Sequence, residues 1–429
     1  MGKVLIIGGG FAGISAAVFL SKSNHKITLL EASPKLGGRA YSFFVKSRNE
    51  YVDNGQHILM GCYRHTLTFL SEIGAVEKLY FQKSLFLNLI ENNGKTLTLG
   101  SNSRFYPFNL INALLSFPRF NYMDKISLLK FFVKLPFLSK DKLSGLSVEK
   151  WLTETKQTVN AKKYFWDLLI VGALNTNPSK ASAEIFLEIL REMFLHGNKA
   201  TTIIIPETDL SNLYCTNAEE YLKNKGGIIL KSEKVIEFIT KQNKIVEVLT
   251  NKGNLTEFDY VVSAIPLNAL RKIKNSGLSG LRDNEPEYSS ILSVHLWIEN
   301  FDFEKKFYGF IDSDIHWLFN HGKHITLVTS NAGNLMSLTN NEILKKVVNE
   351  VSNYFPGFNM KNVTDSQIIK EKRATFVPSS SFEKRRKKII SPYSNLIFAG
   401  DWTNTGLPST IESAVKSGKL AADTIDRAL

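Results

Sequence analysis

The sequence predicts an α/β fold: a parallel core with a second, α+β domain inserted into it. Three observations predict it. Residues 3–31 read strand, glycine turn, helix, strand, which is a βαβ unit. The same alternation returns after Leu213 and closes the chain beyond residue 390. Between these pieces, from Phe81 to Ala200, the alternation is lost.

The opening strand, Lys3 to Ile7, is largely apolar and rich in β-branched residues, consistent with a strand buried on both faces. Glycines at 8, 9, 10 and 13 follow it, and Ile14 to Leu20 continues at helical spacing. Lys26 to Leu30 is a second strand and ends in Glu31. Leu85 to Leu99 reads as a hairpin turning at Asn92-Asn93-Gly94. Asn109 to Leu138 is rich in Leu and Phe, with prolines at 118 and 136, and Val148 to Val171 and Ser182 to Leu195 read as helices. Ala218 to Lys225 is a helix closed by Gly226-Gly227. Ile228 to Leu230, Lys234 to Ile239, Ile245 to Leu249 and Asp259 to Ala264 follow as strands, and residues 287 to 331 read as further strands. Leu396 to Asp401 is a buried strand ending in Gly-Asp, and Ser409 to Ala428 has helical periodicity. The expected division gives residues 1–80, 213–270 and 390–429 to the core. Residues 81–212 and 271–389 form the inserted domain, with a helical part near 105–143.

Composition narrows the class. A chain of 429 residues suits two to three domains of about 150 residues each. With 43% hydrophobic and 22% charged residues it is globular, not disordered. The formal charge of +13 suits an anionic partner, but no nucleic-acid-binding motif accompanies it, so nucleic acid is not expected. The longest basic block, Lys384 to Lys388, reads as a solvated face. Cys62 and Cys215, far apart, exclude a disulfide scaffold and a Cys-based zinc site; no metal is expected. The apolar run at the amino terminus is too short for a secretory leader, and nothing is long enough to span a bilayer, so the expected setting is cytoplasmic.

Gly8-x-Gly10-x-x-Gly13 follows a strand and opens a helix, the context that gives this spacing meaning. Gly8 permits the tight turn, Gly10 lets the backbone approach a pyrophosphate, and Gly13 lets the helix pack on the sheet. The helix start, with Phe11 and Ala12, presents N–H groups and a positive dipole end to phosphates, which makes the core Rossmann-like. Glu31, 18 residues beyond Gly13 and followed by Ala32, can accept from ribose hydroxyls. Gly37-Gly38-Arg39 then adds flexible backbone and a forked cation suited to phosphate oxygens. The strand ending in Gly400-Asp401 can aim its carboxylate at a ribityl hydroxyl, with N–H groups of the next helix facing a flavin ring. A nicotinamide enzyme has no need of so distant a closing segment. The expected cofactor is FAD.

Together these pieces resemble the FAD-dependent amine oxidase and phytoene desaturase superfamily over essentially the whole chain. Two stretches narrow the resemblance. One is Asp53-Asn54-Gly55-Gln56-His57 with Gly61-Cys62-Tyr63; the other is Asp401-Trp402-Thr403, then Thr405-Gly406-Leu407-Pro408-Ser409-Thr410-Ile411-Glu412-Ser413-Ala414-Val415-Lys416-Ser417-Gly418. They look like the hydroxysqualene dehydroxylases of bacterial hopanoid pathways, as do Ala173-Leu174-Asn175-Thr176 and Ala181-Ser182-Ala183. The resemblance implies reduction of an allylic alcohol, hydroxysqualene, to squalene, with FADH2 supplying the hydride, water leaving and a separate electron donor renewing the flavin. A carotenoid or phytoene desaturase, an amine oxidase and a non-catalytic FAD-binding protein are the alternatives.

By the same resemblance Gly55, Gln56 and His57 lie by the flavin. His57 is then either the proton donor or a histidine bonded to cofactor or backbone, and Gln56 orients flavin or alcohol. Thr410 and Ile411 would bring a backbone N–H to the pyrimidine edge, and Val235 would approach the adenine end through its backbone. Glu207 and Asp209 are alternative acids or turn carboxylates. Large apolar residues between Phe105 and Leu143 are interleaved with Arg119, Lys125, Lys130, Lys134, Lys140 and Lys142. That pattern fits either peripheral contact with an anionic membrane, on its inner face, or a cap over the cavity of a polyprenoid substrate.

Overall fold

Five parallel strands form the sheet on which the chain is assembled. Their order is Ile228–Lys231, Lys26–Glu31, Lys3–Ile7, Tyr260–Ser263 and Leu396–Phe398. The computed structural model describes residues 1–103, 105–277 and 285–429; residues 104 and 278–284 of the expected inserted domain lie outside the described residues. The central strand is apolar from Val4 to Ile7 because both of its faces are covered there. Val4 and Ile6 pack with Ile27, Leu29 and Val262 on one side, and Leu5 and Ile7 with Leu30 and Val261 on the other. Helices Phe11–Lys22, Asn217–Asn224 and Ile411–Ala428 cover the first face. A three-stranded antiparallel sheet, Val235–Lys241, Lys244–Thr250 and Asn254–Leu255, covers the second through Phe238 and Val248.

The first and last helices meet almost backbone to backbone. A Cβ at Gly418 would lie 2.5 Å from the Ala12 carbonyl oxygen, so only glycine lets the carboxyl-terminal helix approach the helix that opens the chain.

A seven-stranded sheet forms the second body. Its order is Val363–Phe376, Tyr288–Ile298, His324–Ser330, Trp317–Asn320, Phe307–Phe310, Phe86–Ile90 and Thr96–Gly100. All pairs are antiparallel except Phe307–Phe310 with Phe86–Ile90. Helix Asn340–Tyr354, started by a Thr339/Glu342 capping box, covers one face with Ile343, Val347 and Val351. Helices between Phe108 and Phe194 form their own cluster around Trp151, Trp166 and Phe186, joined to the sheet edge by Leu89, Leu97 and Leu99.

Two features differ from the expectation. The stretch from Val148 to Val171, read as helical, is not one helix. Helix Val148–Glu154 ends, Lys156 takes a left-handed φ of 56°, and the Thr158 side chain caps a new start at Val159 before helix Asp167–Leu174. In addition, Ile203–Pro206 pairs with both Leu59–Met60 and Leu79–Phe81, so the chain after His57 and the end of the helical region share a small sheet. No helix among the described residues is long and apolar enough to cross a membrane.

Candidate functional site

At the carboxyl end of the central strand, Gly8 has φ +109°, and a Cβ there would lie 2.9 Å from the Ala264 carbonyl oxygen. A Cβ at Gly13 would collide with the Gly8 carbonyl oxygen. Gly10 is different: the nearest atom to a Cβ there is Gly38 Cα, at 3.6 Å. The Gly37 N–H donates to the Gly9 carbonyl at 2.8 Å, so the two glycine segments line one slot. Helix Phe11–Lys22 opens beside that slot with Gly10 as N-cap, no capping side chain and no acidic residue in its first turn. Its first amides, those of Phe11, Ala12 and Gly13, are available to an anion. Glu31 accepts from the N–H groups of Gly9 and Ser33, each at 2.7 Å, with Ala32 between its strand and that contact. The Glu233 N–H donates to the Glu31 carbonyl at 2.9 Å; two residues on, Val235 starts its strand, buried among Ile7 and Leu30.

Arg39 and Asp401, read separately from the sequence, meet. Arg39 Nη2 donates to Asp401 Oδ1 at 2.5 Å across 362 positions of sequence. The other carboxylate oxygen accepts from the Ser409 hydroxyl. Burial alone would raise the Asp401 pKa, but Arg39, Ser409 and Arg386 outweigh it and hold the carboxyl below its ordinary value. Gly400 before it has φ +135°, and a Cβ there would lie 2.7 Å from Trp402 Nε1.

The basic block read as a solvated face is corrected at its centre. Arg386 is 0% exposed, because helix Ser380–Arg386 turns Phe382, Glu383 and Arg386 inward. Its guanidinium pairs with Glu383 and donates to the carbonyls of Asp401, Thr403 and Leu407 and to the Thr405 hydroxyl. One cation thus gathers the loop that follows Gly400.

Asn54 joins the Asp53–His57 segment to the Arg39 loop, accepting from the Tyr41 N–H at 3.2 Å and donating to the Arg39 carbonyl at 2.8 Å. Gly55 packs on Ser293, whose hydroxyl is buried without a hydrogen-bond partner. Gln56 is half-buried beside it. His57 Nδ1 lies 2.7 Å from the Gly55 carbonyl; a carbonyl only accepts, so Nδ1 carries the proton and Nε2 is an acceptor. Burial pushes His57 down to about 4, against the opposing pull of that hydrogen bond. His295 holds the segment from the other side. Its Nε2–H donates to the Asp53 carbonyl at 3.0 Å while Nδ1 accepts from the Thr326 hydroxyl at 2.9 Å. Burial also pushes the Asp53 carboxyl up to about 7, although Leu210 N–H and Ser42 O–H donate to it.

Thr410 caps the last helix by accepting from the Ser413 N–H at 3.2 Å, and Ile411 is its first residue. Glu412, one residue on, accepts from the His65 N–H (3.0 Å), the Thr66 N–H (2.8 Å), the Thr66 hydroxyl (2.7 Å) and His65 Nδ1 (2.8 Å). It thereby caps helix Arg64–Glu72 and locks the turn after His57 to the carboxyl-terminal helix. Glu207 and Asp209 are turn carboxylates. Asp209 accepts from the Asn212 backbone and side chain, and Glu207, 54% exposed, faces Lys306 at 3.7 Å.

Comparison with known proteins places this geometry. The family model for flavin containing amine oxidoreductases matches residues 11–426. The chain belongs to that family. Hydroxysqualene dehydroxylases of Zymomonas mobilis and Rhodopseudomonas palustris are 26% and 28% identical to this flavoenzyme. The alignments cover 97% of both chains in the first case and 98% of both in the second. A crystal structure of an oxidoreductase from Methanosarcina mazei superposes with a TM-score of 0.75 at 18% identity, over 98% of this chain and all of that one. The fold and the cofactor are therefore those of an FAD-dependent oxidoreductase.

The flavoenzyme's own residues fit FAD. The slot where a Cβ at Gly10 meets little, the uncapped helix start and the Glu31 carboxylate suit its nucleotide half. Four supporting residues escaped the sequence reading: Arg386, Glu412, His295 and Tyr214. Tyr214 stacks on Phe11, ring centroids 3.7 Å apart, with its hydroxyl 2.7 Å from the carbonyls of both Gly37 and Ala40. Glu412 stands inside the Thr405–Gly418 motif, yet its partner helix lies some 346 positions away and leaves no local trace.

Proposed function

We propose that this flavoenzyme is a hydroxysqualene dehydroxylase, reducing the allylic alcohol hydroxysqualene to squalene. The observation that carries the reading is the end-to-end match to two dehydroxylases, over nearly the whole of both partners in each alignment. In the reaction the allylic C–O bond breaks, the oxygen takes a proton and leaves as water, and the carbon takes a hydride. FAD, when bound in its reduced form, supplies that hydride, and a separate electron donor restores it.

The chain's residues divide the remaining tasks. Gly8, Gly10, Gly13, Gly38 and Arg39 hold the phosphates, Glu31 the ribose, and Val235 the adenine end. Gly400, Asp401, Thr410 and Ile411 serve the flavin end, with Gly55 and Gln56 beside the ring. His57 offers Nε2 to the substrate hydroxyl and orients the C–O bond. Its residue type alone points to a proton donor, but protonating a group with a pKa near 4 at pH 7 costs about 4 kcal/mol, so it serves as an acceptor. The aromatic helical cluster around Phe132, Phe165 and Phe194 suits a long polyprenoid and a delocalised cation. Such a substrate dissolves in a bilayer, which supports the reading of a cytoplasmic enzyme in peripheral contact with the inner face of the cell membrane.

Anaerobic incubation of the photoreduced protein with hydroxysqualene tests the proposal. Squalene should form, by mass spectrometry, in step with flavin reoxidation. Flavin that stays reduced with the alcohol unconsumed would overturn it, as would desaturation of phytoene by the oxidised protein.

A further inference from the structure

We infer that helix Tyr122–Lys134 is the surface by which this protein lies in the headgroup layer of an anionic membrane. The inference deepens the polyprenoid reading by naming the face through which substrate is met. A helix advances about 100° per residue. Asp124, Leu128, Phe131 and Leu135 fall on one side of this helix and are buried. The opposite side carries Tyr122, Ile126, Leu129 and Val133 and continues into Phe137. Tyr122 is 76%, Val133 69% and Phe137 86% exposed, while Ile126 and Leu129 are half-buried. A helix on a soluble protein turns polar residues outward. This one is apolar on both faces.

Charge completes the pattern. Lys125 flanks the outward stripe on one side and Lys130 and Lys134 on the other. Only two acids, Asp124 and Asp141, occur between residues 105 and 143, and Asp124 is consumed by the Asn121 N–H, the Thr158 hydroxyl and the Asn160 amide. Arg119 and Lys140 are engaged by Glu91 and Glu188, but no ion pair holds Lys125, Lys130 or Lys134 among the described residues. Phe105, just before the preceding helix, and Phe108, its first residue, are themselves 78% and 66% exposed. Side chains of this size enter the acyl boundary while lysine stems reach back to lipid phosphates. Lysine is depleted from protein–protein interfaces, so its place on both flanks favours a lipid surface over a protein partner.

Vesicle co-sedimentation of the full-length, FAD-loaded protein tests the inference without any turnover. The parent should bind phosphatidylcholine/phosphatidylglycerol vesicles much better than phosphatidylcholine alone, and added salt should weaken that binding. The exposed pair Val133→Asp/Phe137→Asp should lose about tenfold or more of the affinity with flavin content and thermal unfolding unchanged. Lys125→Glu/Lys130→Glu/Lys134→Glu should lose about a hundredfold on anionic vesicles at low salt. A parent that ignores both vesicle types, or variants that bind like the parent, would overturn the inference. So would a self-associated parent that the Val133→Asp/Phe137→Asp pair dissociates without any vesicle binding. Turnover of detergent-solubilised hydroxysqualene by both variants separates the two readings: it persists when only the membrane surface fails, and it is absent from parent and variants alike when the dehydroxylase reading fails.

Discussion

In the parallel-sheet half, the groups that face the cofactor slot are backbone amides, and side chains there are absent at Gly8, Gly10, Gly13 and Gly38. In the helical half the contacts are made by bulky side chains, with Phe132, Phe165 and Phe194 packed on one another. A site made of backbone needs particular residues at particular places, since only glycine gives the required φ or closeness. A core made of packed side chains tolerates exchange of one apolar group for another of similar volume. The sharpest test replaces one residue in each half. Gly13→Val drives side-chain atoms into the Gly8 carbonyl and should give colourless protein that takes up no added FAD. Phe165→Leu should keep its flavin and lose only about 1–2 kcal/mol in urea unfolding. A yellow Gly13→Val protein would break the contrast.

Arg386 gathers the loop after Gly400, and the next largest effect is expected there. Removing one partner of a buried ion pair leaves the other charge stranded, at a cost of about 3–5 kcal/mol. Arg386→Met should therefore lower stability by that amount and loosen the loop after Gly400, seen as weaker FAD retention in urea titrations with and without cofactor. Adding Glu383→Leu should recover part of the stability but not the flavin affinity, because the loop carbonyls still lack their donor.

The same residue shows what could and could not be read from sequence. The turns at Gly8 and Gly400 were legible because a strand that ends in glycine at positive φ has few alternatives. Arg386 was hidden by its neighbours: in a run of five basic residues nothing but helical phase marks the one that shares a face with Phe382. Tyr214 and Glu412 were invisible for a different reason. Their partners lie roughly 174 and 346 positions away, and long-range hydrogen bonds leave no local periodicity. The break at Lys156 coincides with six polar residues, 153 to 158, that interrupt the apolar spacing, but a polar turn of helix and a break look alike in sequence, and the Thr158 cap that restarts the helix looks like any surface threonine.

Protonation offers a smaller test of the region around Asp53–His57. His57, His295 and His324 are each pushed down to about 4 and His321 to about 3, first by burial, against about 6.5 in an unfolded chain. Between those values the unfolded chain binds protons that the native state does not. The stability these groups contribute is thus complete above pH 6.5 and lost as pH falls toward 4. Asp53, raised to about 7, acts in the opposite sense: the native state holds the extra proton, and stability falls as pH rises from about 4 to 7. Four groups against one leave a net loss in acid. His295→Gln, which can keep both hydrogen bonds, should flatten the urea-midpoint profile below pH 6.5 by up to about 3 kcal/mol. Asp53→Asn should raise the midpoint at pH 8. An unchanged acid limb in the first variant would mean that His295 titrates normally.

The smallest expected effect discriminates most finely, because it separates two roles for one imidazole. If His57 only accepts from the substrate hydroxyl, His57→Ala forfeits a single neutral hydrogen bond, about 0.5–1.5 kcal/mol, and kcat/KM falls by roughly two- to tenfold. If it were the acid that protonates the leaving oxygen, the loss would be about 10²–10⁴-fold. The pH profile divides the roles again. An acid with a pKa near 4 is already deprotonated above pH 6, so the parent and His57→Ala should show parallel profiles between pH 6 and 8. A profile that falls through neutral pH in the parent and flattens in the variant would restore the proton to His57. The Gly55 carbonyl would then be the group stabilising the imidazolium through Nδ1, and the backbone of the cofactor half would take part in the chemistry as well as in binding.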